Sequence, residues 1–368
     1  MSSECVKPSG DPVGTGVPCE NVNRTAPPSK PVLAVAALLA VVTAACAEPA
    51  EPQPANTPVA AASTPGTTSS APPPDPAAVG ANELGQVPVL MYHRLVAQPA
   101  SVYDRTPEAF RAELERLVAE DYVPVTTAEY ATGKIDLPAG KHPVVLTFDD
   151  GDPTQFALDP SGQPAPGTAI AILLDVAAKH PGFRPVASLY VNAAPFGTPD
   201  GSGALPWLRD HGFEIGNHTQ YHTNLASVPA EEAQRAISEG QREIQQAVPQ
   251  YQVRSLALPF GVSPRDPVLA MRGGADGASY DYECVLLVGS NPAPSPFAAD
   301  FDPMNTPRIR SQDATGEDAA FGSAVWLDKL AANPAQRYTS DGVPDRIAYP
   351  SSAGVVPAPQ FAGRAVAY

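Results

Sequence analysis

Apolar runs of strand length alternate with helix-like segments through the middle of the chain. The first helix-like segment begins at Thr106, a good capping residue, and its apolar side chains Phe110 and Leu114 recur at helical spacing. The predicted strands cover residues 87–93, 144–148, 187–191, 213–215, 255–258 and 284–288, and further helices are predicted over 168–179 and 229–247. Because strands that alternate with helices form parallel sheets, the pattern predicts an α/β fold whose sheet curls into an incomplete barrel.

Two pairs of polar side chains follow predicted strands. Asp149 and Asp150 come directly after strand 144–148, and His218 and His222 follow the strand that ends at residue 215. In parallel barrels the functional side chains lie at the carboxyl ends of the strands. Two histidines four residues apart in one helical turn share a face and can bind one ion. Together with one carboxylate they supply three metal ligands, and the other carboxylate remains as a base for hydrolysis.

Each pair alone also has a purely structural interpretation. Asp-Asp-Gly is a common turn, and two histidines can be polar residues of a solvated turn. The histidine spacing also occurs in zincin helices, but Thr219 stands where a zincin has its glutamate base. The base must therefore come from elsewhere, and Asp149 is the candidate.

Three segments, 147–151, 217–222 and 258–261, resemble in order and spacing the motifs of polysaccharide deacetylases with a NodB homology domain, carbohydrate esterase family 4. The resemblance covers roughly residues 87–330 and implies a distorted, incomplete (β/α)7 barrel. It further implies that Asp149 is the base and that the backbone N–H of Phe260 stabilises an oxyanion. The implied ligands of one divalent ion, zinc or alternatively nickel, cobalt or iron, are Asp150, His218 and His222.

The chain departs from the usual motifs at two places. Ala257 stands where an arginine orients the base, and no histidine follows His222 to act as the acid. Both departures occur in the subgroup that resembles poly-β-1,6-N-acetylglucosamine deacetylases, in which a Tyr-His pair near the start of the domain supplies the acid. Tyr92-His93 is that pair here, and the alternative for His93 is a hydrogen-bonded histidine at a strand end. Arg308 either replaces the missing arginine or is a surface charge near a strand.

The remaining histidines have no comparable setting. His142, His180 and His211 are interpreted as surface residues. Cys284 lies in an apolar run and is expected to be a small buried residue of a strand, so no disulfide framework is predicted.

The N-terminal region is typical of an export signal. An apolar run over residues 31–45 follows Arg24 and Lys30, is short for a membrane span, and ends at a lipoprotein-like cleavage site with Cys46 as the residue to be lipidated. An ordinary secretory signal is the alternative. The predicted organisation is a signal peptide over 1–46, a Pro/Ala/Thr-rich tether over 47–85, a catalytic domain over 86–330 and a C-terminal extension of unknown role over 331–368.

The composition excludes one class of partner. The net charge is −16 and no basic stripe is present, which argues against binding of nucleic acid. The sequence predicts an exported, lipid-anchored monomer that removes acetyl groups from N-acetylated polysaccharides or oligosaccharides at the cell envelope, with a metal-activated water, an aspartate base and a histidine acid. Two alternatives remain: an O-deacetylase of acetylated xylan or surface polysaccharide, which would share every catalytic residue, and an inactive glycan-binding lipoprotein, which the missing motif arginine suggests.

Overall fold

A parallel sheet of eight strands forms the centre of the protein in the computed structural model, which describes residues 73–368. The strands of the described part are β1 Val89–Tyr92, β2 Tyr122–Val125, β3 His142–Phe148, β4 Ser188–Val191, β5 Glu214–Asn217, β6 Ser255–Ala257, β7 Arg272–Ala275, β8 Ala278–Asp281, β9 Cys284–Leu286, β10 Ile309–Arg310, β11 Ile347–Tyr349 and β12 Ala365–Ala367. The sheet has the order β10-β1-β3-β4-β5-β6-β9, and β2 pairs with the first half of β3.

The α-helices of the described part are α1 Pro76–Val79, α2 Pro107–Ala119, α3 Thr127–Ala131, α4 Ala169–Lys179, α5 Ala204–Asp210, α6 Ala230–Ala247, α7 Val268–Met271 and α8 Ser323–Ala332. Apolar side chains of α2, α4, α5 and α6 cover the outer face of the sheet. The predicted start of α2 is confirmed, because the Thr106 hydroxyl accepts the Ala109 N–H at 3.1 Å and Pro107 takes the first helical position.

Alternate residues of each strand face two different cores. Leu90 and Leu146 point outward into the cluster that contains Phe110 of α2, whereas Val89 and Val145 point into the barrel interior. Burying each of these side chains stabilises the fold by about 1.5–3 kcal/mol. The strands are apolar on both faces because both faces are covered, which is why they appear in the sequence as continuous apolar runs.

The two ends of the sheet come close together. The Val285 N–H in β9 donates to the Pro303 carbonyl at 2.7 Å, and the Leu287 N–H donates to the Thr306 carbonyl at 2.9 Å, just before β10 begins. The sheet therefore curls into an incomplete barrel, and the predicted α/β barrel fold is confirmed.

The folded unit extends beyond residues 86–330 at both ends. Ala81 and Leu84 are buried, and the Glu83 N–H donates to the Ala348 carbonyl at 2.8 Å. Tyr338 and Ile347 are buried in the cluster that fills the barrel interior. The tether expected to reach residue 85 is thus wrong for residues 81–85. Asn82 and Glu83 form hydrogen bonds with partners more than 250 residues away, and such contacts leave no local pattern in the sequence. The predicted signal peptide and the tether up to residue 72 lie outside the described residues.

One of the three histidines predicted to lie at the surface, His142, is instead buried. His142 is only 5% exposed, and its Nδ1 lies 2.7 Å from the Tyr338 carbonyl oxygen. Burial lowers the pKa of His142 to about 4. The C-terminal segment that covers this strand start was not predicted, which explains the error. His211 is exposed and stacks on Trp207 at 3.7 Å.

Cys284 is fully buried in β9, as predicted, and is the free cysteine of the described part of the chain. Within residues 73–368, no helix has both the length and the apolar character needed to cross a membrane.

Candidate active site

The predicted site residues meet at the carboxyl ends of the central strands. Asp149 and Asp150 follow β3, His93 follows β1, and His218 follows β5. Strand pairing continues past these ends, because the Asp149 N–H donates to the Tyr92 carbonyl at 3.0 Å and the His218 N–H donates to the Val191 carbonyl at 3.1 Å. The backbone of the site is therefore fixed by the sheet itself.

Asp150, His218 and His222 form a cluster of three potential metal ligands. Oδ1 of Asp150 lies 3.5 Å from Nε2 of His218 and 3.7 Å from Nε2 of His222. The ligand atoms of all three residues lie within 4.8 Å of one another. The structure thus brings together the three residues for which the sequence predicted this role.

The two histidines do not lie in a helical turn, contrary to the sequence prediction. The chain leaves β5 in a loop in which Thr219 and His222 have left-handed backbone angles, φ 61° and 51°, and Asp150 has φ 77°. Side chains hold this unfavourable backbone in place: Asn217 Oδ1 accepts the Thr219 N–H at 2.8 Å, and Asn192 Nδ2 donates to the His218 carbonyl at 2.8 Å. Such strain is concentrated at functional sites.

The donor set fits a catalytic divalent ion. His218 Nδ1 lies 2.7 Å from the Ala257 carbonyl oxygen, so Nδ1 carries the proton and Nε2 keeps its lone pair towards Asp150. Burial and the neighbouring His218 ring lower the pKa of His222, which favours the neutral form that binds metals. Two imidazoles and one carboxylate would leave a coordination position open, as in catalytic zinc sites.

We expect the purified protein to bind about one divalent ion per chain. His222→Ala removes one of the three ligands, so metal content measured by mass spectrometry should fall while the thermal transition is retained. His180→Ala, which removes a half-exposed histidine paired with Glu115, is the matched control and should keep the ion. Full occupancy in a His218→Ala/His222→Ala double variant would contradict the assignment.

Asp149 forms a buried ion pair with Arg308. Their side chains are 2% and 0% exposed, and the two guanidinium nitrogens Nη1 and Nη2 each lie 2.7 Å from one carboxylate oxygen. Arg308 is itself held by the Leu287 carbonyl, to which Nε donates at 2.8 Å. Of the two interpretations of Arg308, the surface charge is therefore wrong.

The ion pair determines the charge of Asp149. Burial alone would raise the pKa of Asp149, but Arg308 outweighs burial and holds that pKa well below its usual range. Asp149 is thus an ionised carboxylate fixed in a bidentate geometry. Ala257, which stands at the usual arginine position, is fully buried.

His93 lies on the other side of Asp149. Its Nε2 is 4.0 Å from Asp149 Oδ2, and its side chain is 18% exposed. Nδ1 is buried and has no hydrogen-bond partner among residues 73–368, unlike the hydrogen-bonded histidine of the alternative interpretation. Burial lowers the pKa of His93, although Asp149 opposes this effect. The Tyr103 ring packs against the imidazole at 4.8 Å between centroids.

Phe260 lies next to the ligand cluster. Its ring is 59% exposed and contacts the His222 ring at 4.4 Å between centroids. Its backbone has φ 59°, within the turn Pro259–Gly261. The segment expected to supply an oxyanion donor is thus adjacent to a potential metal ligand.

The position of Gln155 at the site was not predicted from the sequence. Its Nε2 donates to the Asp149 carbonyl and, at 3.0 Å, to the His93 carbonyl, so it ties the two strand ends together. It lies in the polar segment 152–167 that directly follows the two aspartates. A single glutamine in a polar segment gives no signal that could have identified it.

Residues 192–273 match the model of the polysaccharide deacetylase family. That stretch contains His218, His222 and Phe260. A chitooligosaccharide deacetylase from Sinorhizobium fredii (strain NBRC 101917 / NGR234) is 29% identical over 123 residues, which are 33% of this chain and 49% of that protein. The chain therefore spans about half the length of this curated relative.

Several solved structures align with the chain, among them two deacetylases. IcaB from Ammonifex degensii is 19% identical, with a TM-score of 0.46, over 64% of this chain and 97% of its own. A Streptococcus pyogenes deacetylase, PplD, in complex with acetate is 18% identical, with a TM-score of 0.45, over 61% of this chain and 92% of its own. The family match over residues 192–273, together with the three motifs and the curled parallel sheet that carries them, supports a polysaccharide deacetylase of the NodB-homology type, carbohydrate esterase family 4.

Proposed function

We propose that the protein is a metal-dependent hydrolase that removes acetyl groups from N-acetylated glycans. The observation that carries the proposal is the buried Arg308–Asp149 pair beside the cluster of Asp150, His218 and His222. A fixed, ionised carboxylate next to three metal ligands is the arrangement that hydrolysis of an unactivated amide requires. An inactive glycan-binding protein would have no need to keep an ion pair of this kind buried.

Asp149 is the proposed base that takes a proton from the attacking water. With so low a pKa, a carboxylate is a poor base towards ordinary water. When bound, a divalent ion, which we propose to be zinc with nickel, cobalt or iron as alternatives, would polarise the acetamide carbonyl and lower the pKa of that water towards 7. Arg308 keeps the carboxylate ionised and fixes its orientation.

Two further groups complete the proposed mechanism. Attack on the acetamide carbonyl gives a tetrahedral oxyanion, which the backbone N–H of Phe260 stabilises by hydrogen bonding. His93, 4.0 Å from Asp149, protonates the departing nitrogen. An amide needs that step because an unprotonated amine anion is a very poor leaving group.

Replacing His93 by alanine should separate amide from ester hydrolysis. We expect about 10²–10⁴-fold slower acetate release from an N-acetylated glycan, because the leaving nitrogen must be protonated. On an activated aryl acetate the loss should be far smaller, since a phenolate leaves without help. The ratio of the two activities is the measurement, and bound metal is the control. Equal losses of activity on both substrates, with the metal retained, would mean that His93 has a structural role and that another group donates the proton.

The substrate class rests on two observations. The curated relative is a chitooligosaccharide deacetylase, and the Tyr92-His93 element together with the two departures from the usual motifs follows the pattern of the subgroup resembling poly-β-1,6-N-acetylglucosamine deacetylases. Acetate release from chitin oligomers, β-1,6-linked N-acetylglucosamine, peptidoglycan and acetylxylan tests this proposal, with metal-stripped enzyme as the control. Release from acetylxylan alone would instead indicate an O-deacetylase.

We further propose that the protein is exported and anchored to the outer face of the cell membrane through lipidated Cys46. Two acyl chains provide a stable membrane attachment that one chain does not. Cys46→Ser should therefore move the protein out of the membrane fraction. Mass spectrometry that finds an unmodified mature N-terminus at another residue would contradict the anchor.

A further inference from the structure

Strands β1 and β3 separate just where the proposed acid and base leave the sheet. Their regular pairing ends at Tyr92 and Phe148, and one further bond joins the Asp149 N–H to the Tyr92 carbonyl. The next two carbonyls, those of His93 and Asp149, both accept a hydrogen bond from Nε2 of Gln155, the first at 3.0 Å. Gln155 therefore continues the connection between the two strands beyond the end of their pairing.

The side chain of Gln155 suits this position. It is fully buried, and its amide nitrogen carries two N–H groups, so that it can donate to both carbonyls at once. The amide oxygen could donate to neither carbonyl, and the two contacts therefore fix which way the amide points.

The main chain around Gln155 is itself anchored on two sides. Oγ1 of Thr154 accepts the Leu95 N–H at 3.0 Å, which ties the segment to the chain that follows β1. Oδ1 of Asp152 accepts the Thr154 N–H at 2.8 Å. At the start of α4, the Ile170 N–H donates to the Gln155 carbonyl at 3.0 Å. The amide of Gln155 is thus held from a fixed backbone.

The placement of the His93 ring depends on its main chain. A histidine ring is usually oriented by a hydrogen bond to the nitrogen that does not react, but Nδ1 of His93 is buried and has no partner among the described residues. Apart from its packing against the Tyr103 ring, the imidazole is therefore positioned by the backbone of residue 93. That backbone sets the 4.0 Å between His93 Nε2 and Asp149 Oδ2.

We infer that Gln155 is a positioning residue, which holds the backbone of the acid His93 in a fixed place relative to the base Asp149. The inference rests on the proposed function and deepens it, because it assigns the relative placement of acid and base to a residue outside the three motifs. A displacement of about 1 Å can cost about 10²-fold in rate. One buried amide that lies outside the ligand cluster can therefore control the hydrolysis of an amide substrate.

Gln155→Met tests the inference, because it keeps the size of the side chain and removes both donors. We expect kcat for acetate release from a β-1,6-linked N-acetylglucosamine trimer to fall about 10²-fold, with little change in KM. Turnover of an activated aryl acetate, which needs no acid, should stay near the wild-type value, and so should the bound metal. Gln163→Met replaces an exposed glutamine of the same segment and, as the matched control, should change neither activity.

A double variant shows whether the effect acts through His93. In a His93→Ala background the proposed acid is already absent, so Gln155→Met should lower amide turnover no further. If the two losses multiply, or if aryl acetate turnover falls in parallel, Gln155 acts through Asp149 or the metal site and the inference is wrong. An unchanged kcat in Gln155→Met would also exclude it. Should that variant not fold, Gln155→Asn, whose amide is one carbon shorter, is used with the same expected effects.

An NMR measurement separates this inference from the proposed function, which fails if the wild type releases no acetate from any glycan. In histidine-labelled protein the ring signal of His93 is identified by its absence from His93→Ala. It should shift or split in Gln155→Met and stay unchanged in Gln163→Met. An unchanged signal in Gln155→Met would show that Gln155 does not hold His93 in place.

Discussion

Asp149→Asn should abolish most of the turnover while leaving the bound metal in place. Asparagine keeps the shape of the side chain but cannot take a proton from water, so acetate release should fall about 10²–10⁴-fold. The substitution also leaves the buried Arg308 guanidinium without its counter-charge, so a lower thermal transition is expected as well. Acetate release and metal content, measured on the same preparation of folded protein, check the prediction.

Asp150→Asn is the matched control, because the two aspartates are adjacent and differ in their contacts. Asp150 faces His218 and His222, whereas Asp149 faces Arg308 and His93. The Asp150 variant should lose the ion as well as the activity. Near-normal acetate release by Asp149→Asn would mean that the base lies elsewhere, and loss of metal in that variant would assign Asp149 to the ligand set.

Arg308→Gln should have the largest effect on stability. It leaves a carboxylate that is 2% exposed without its partner, and breaking a buried ion pair in this way costs about 3–5 kcal/mol of unfolding free energy. Activity should be lost at neutral pH, since burial raises the pKa of Asp149 once Arg308 no longer opposes it. Denaturant unfolding of metal-free protein measures the first effect and acetate release the second.

The pH dependence has a definite sign. In the wild type the folded-state pKa of Asp149 is depressed, so its stabilisation is present above the unfolded value of about 3.9 and is lost as the pH falls through the folded value. In Arg308→Gln the folded-state pKa of Asp149 is raised. The variant's loss of unfolding free energy relative to the wild type should therefore be smallest in acid and should grow as the pH rises above about 4. A deficit that is constant with pH would contradict this explanation.

Arg254→Gln provides the comparison for Arg308. Arg254 also forms a two-nitrogen contact with a carboxylate, Glu283, but the two side chains are 31% and 30% exposed. Water screens this pair, so its loss should cost less than about 1 kcal/mol. Arg308→Lys, which keeps the charge without the bidentate geometry, should give an intermediate loss if Arg308→Gln does not fold.

The central strand and its two aspartates could be predicted from the sequence. All seven residues of β3 are buried. The sequence therefore shows a nearly continuous apolar run that ends directly at Asp149. The same reasoning located His218 and His222. It failed on their local geometry, because the turn between them depends on Asn217 and Asn192, whose side-chain hydrogen bonds outweigh the four-residue spacing.

Contacts between residues far apart in the sequence could not be predicted from the sequence alone. Arg308 meets Asp149 across 159 residues, so the sequence left its role open between two interpretations and only the structure decides between them. Residues 81–85 and 338–348 were likewise classed as tether and extension, because each becomes part of the core only when the other covers it. A sequence pattern shows how apolar residues repeat within one helix or strand, whereas these contacts form only when the barrel closes.

The most direct test of the proposed function is the stoichiometry of acetate and amine released from a β-1,6-linked N-acetylglucosamine trimer. Zinc-loaded wild-type protein should release acetate and expose free amine in equal amounts, chelation should stop both, and added zinc should restore both. If metal-bound protein releases no acetate from this trimer or from chitin oligomers, the proposed deacetylase function is contradicted.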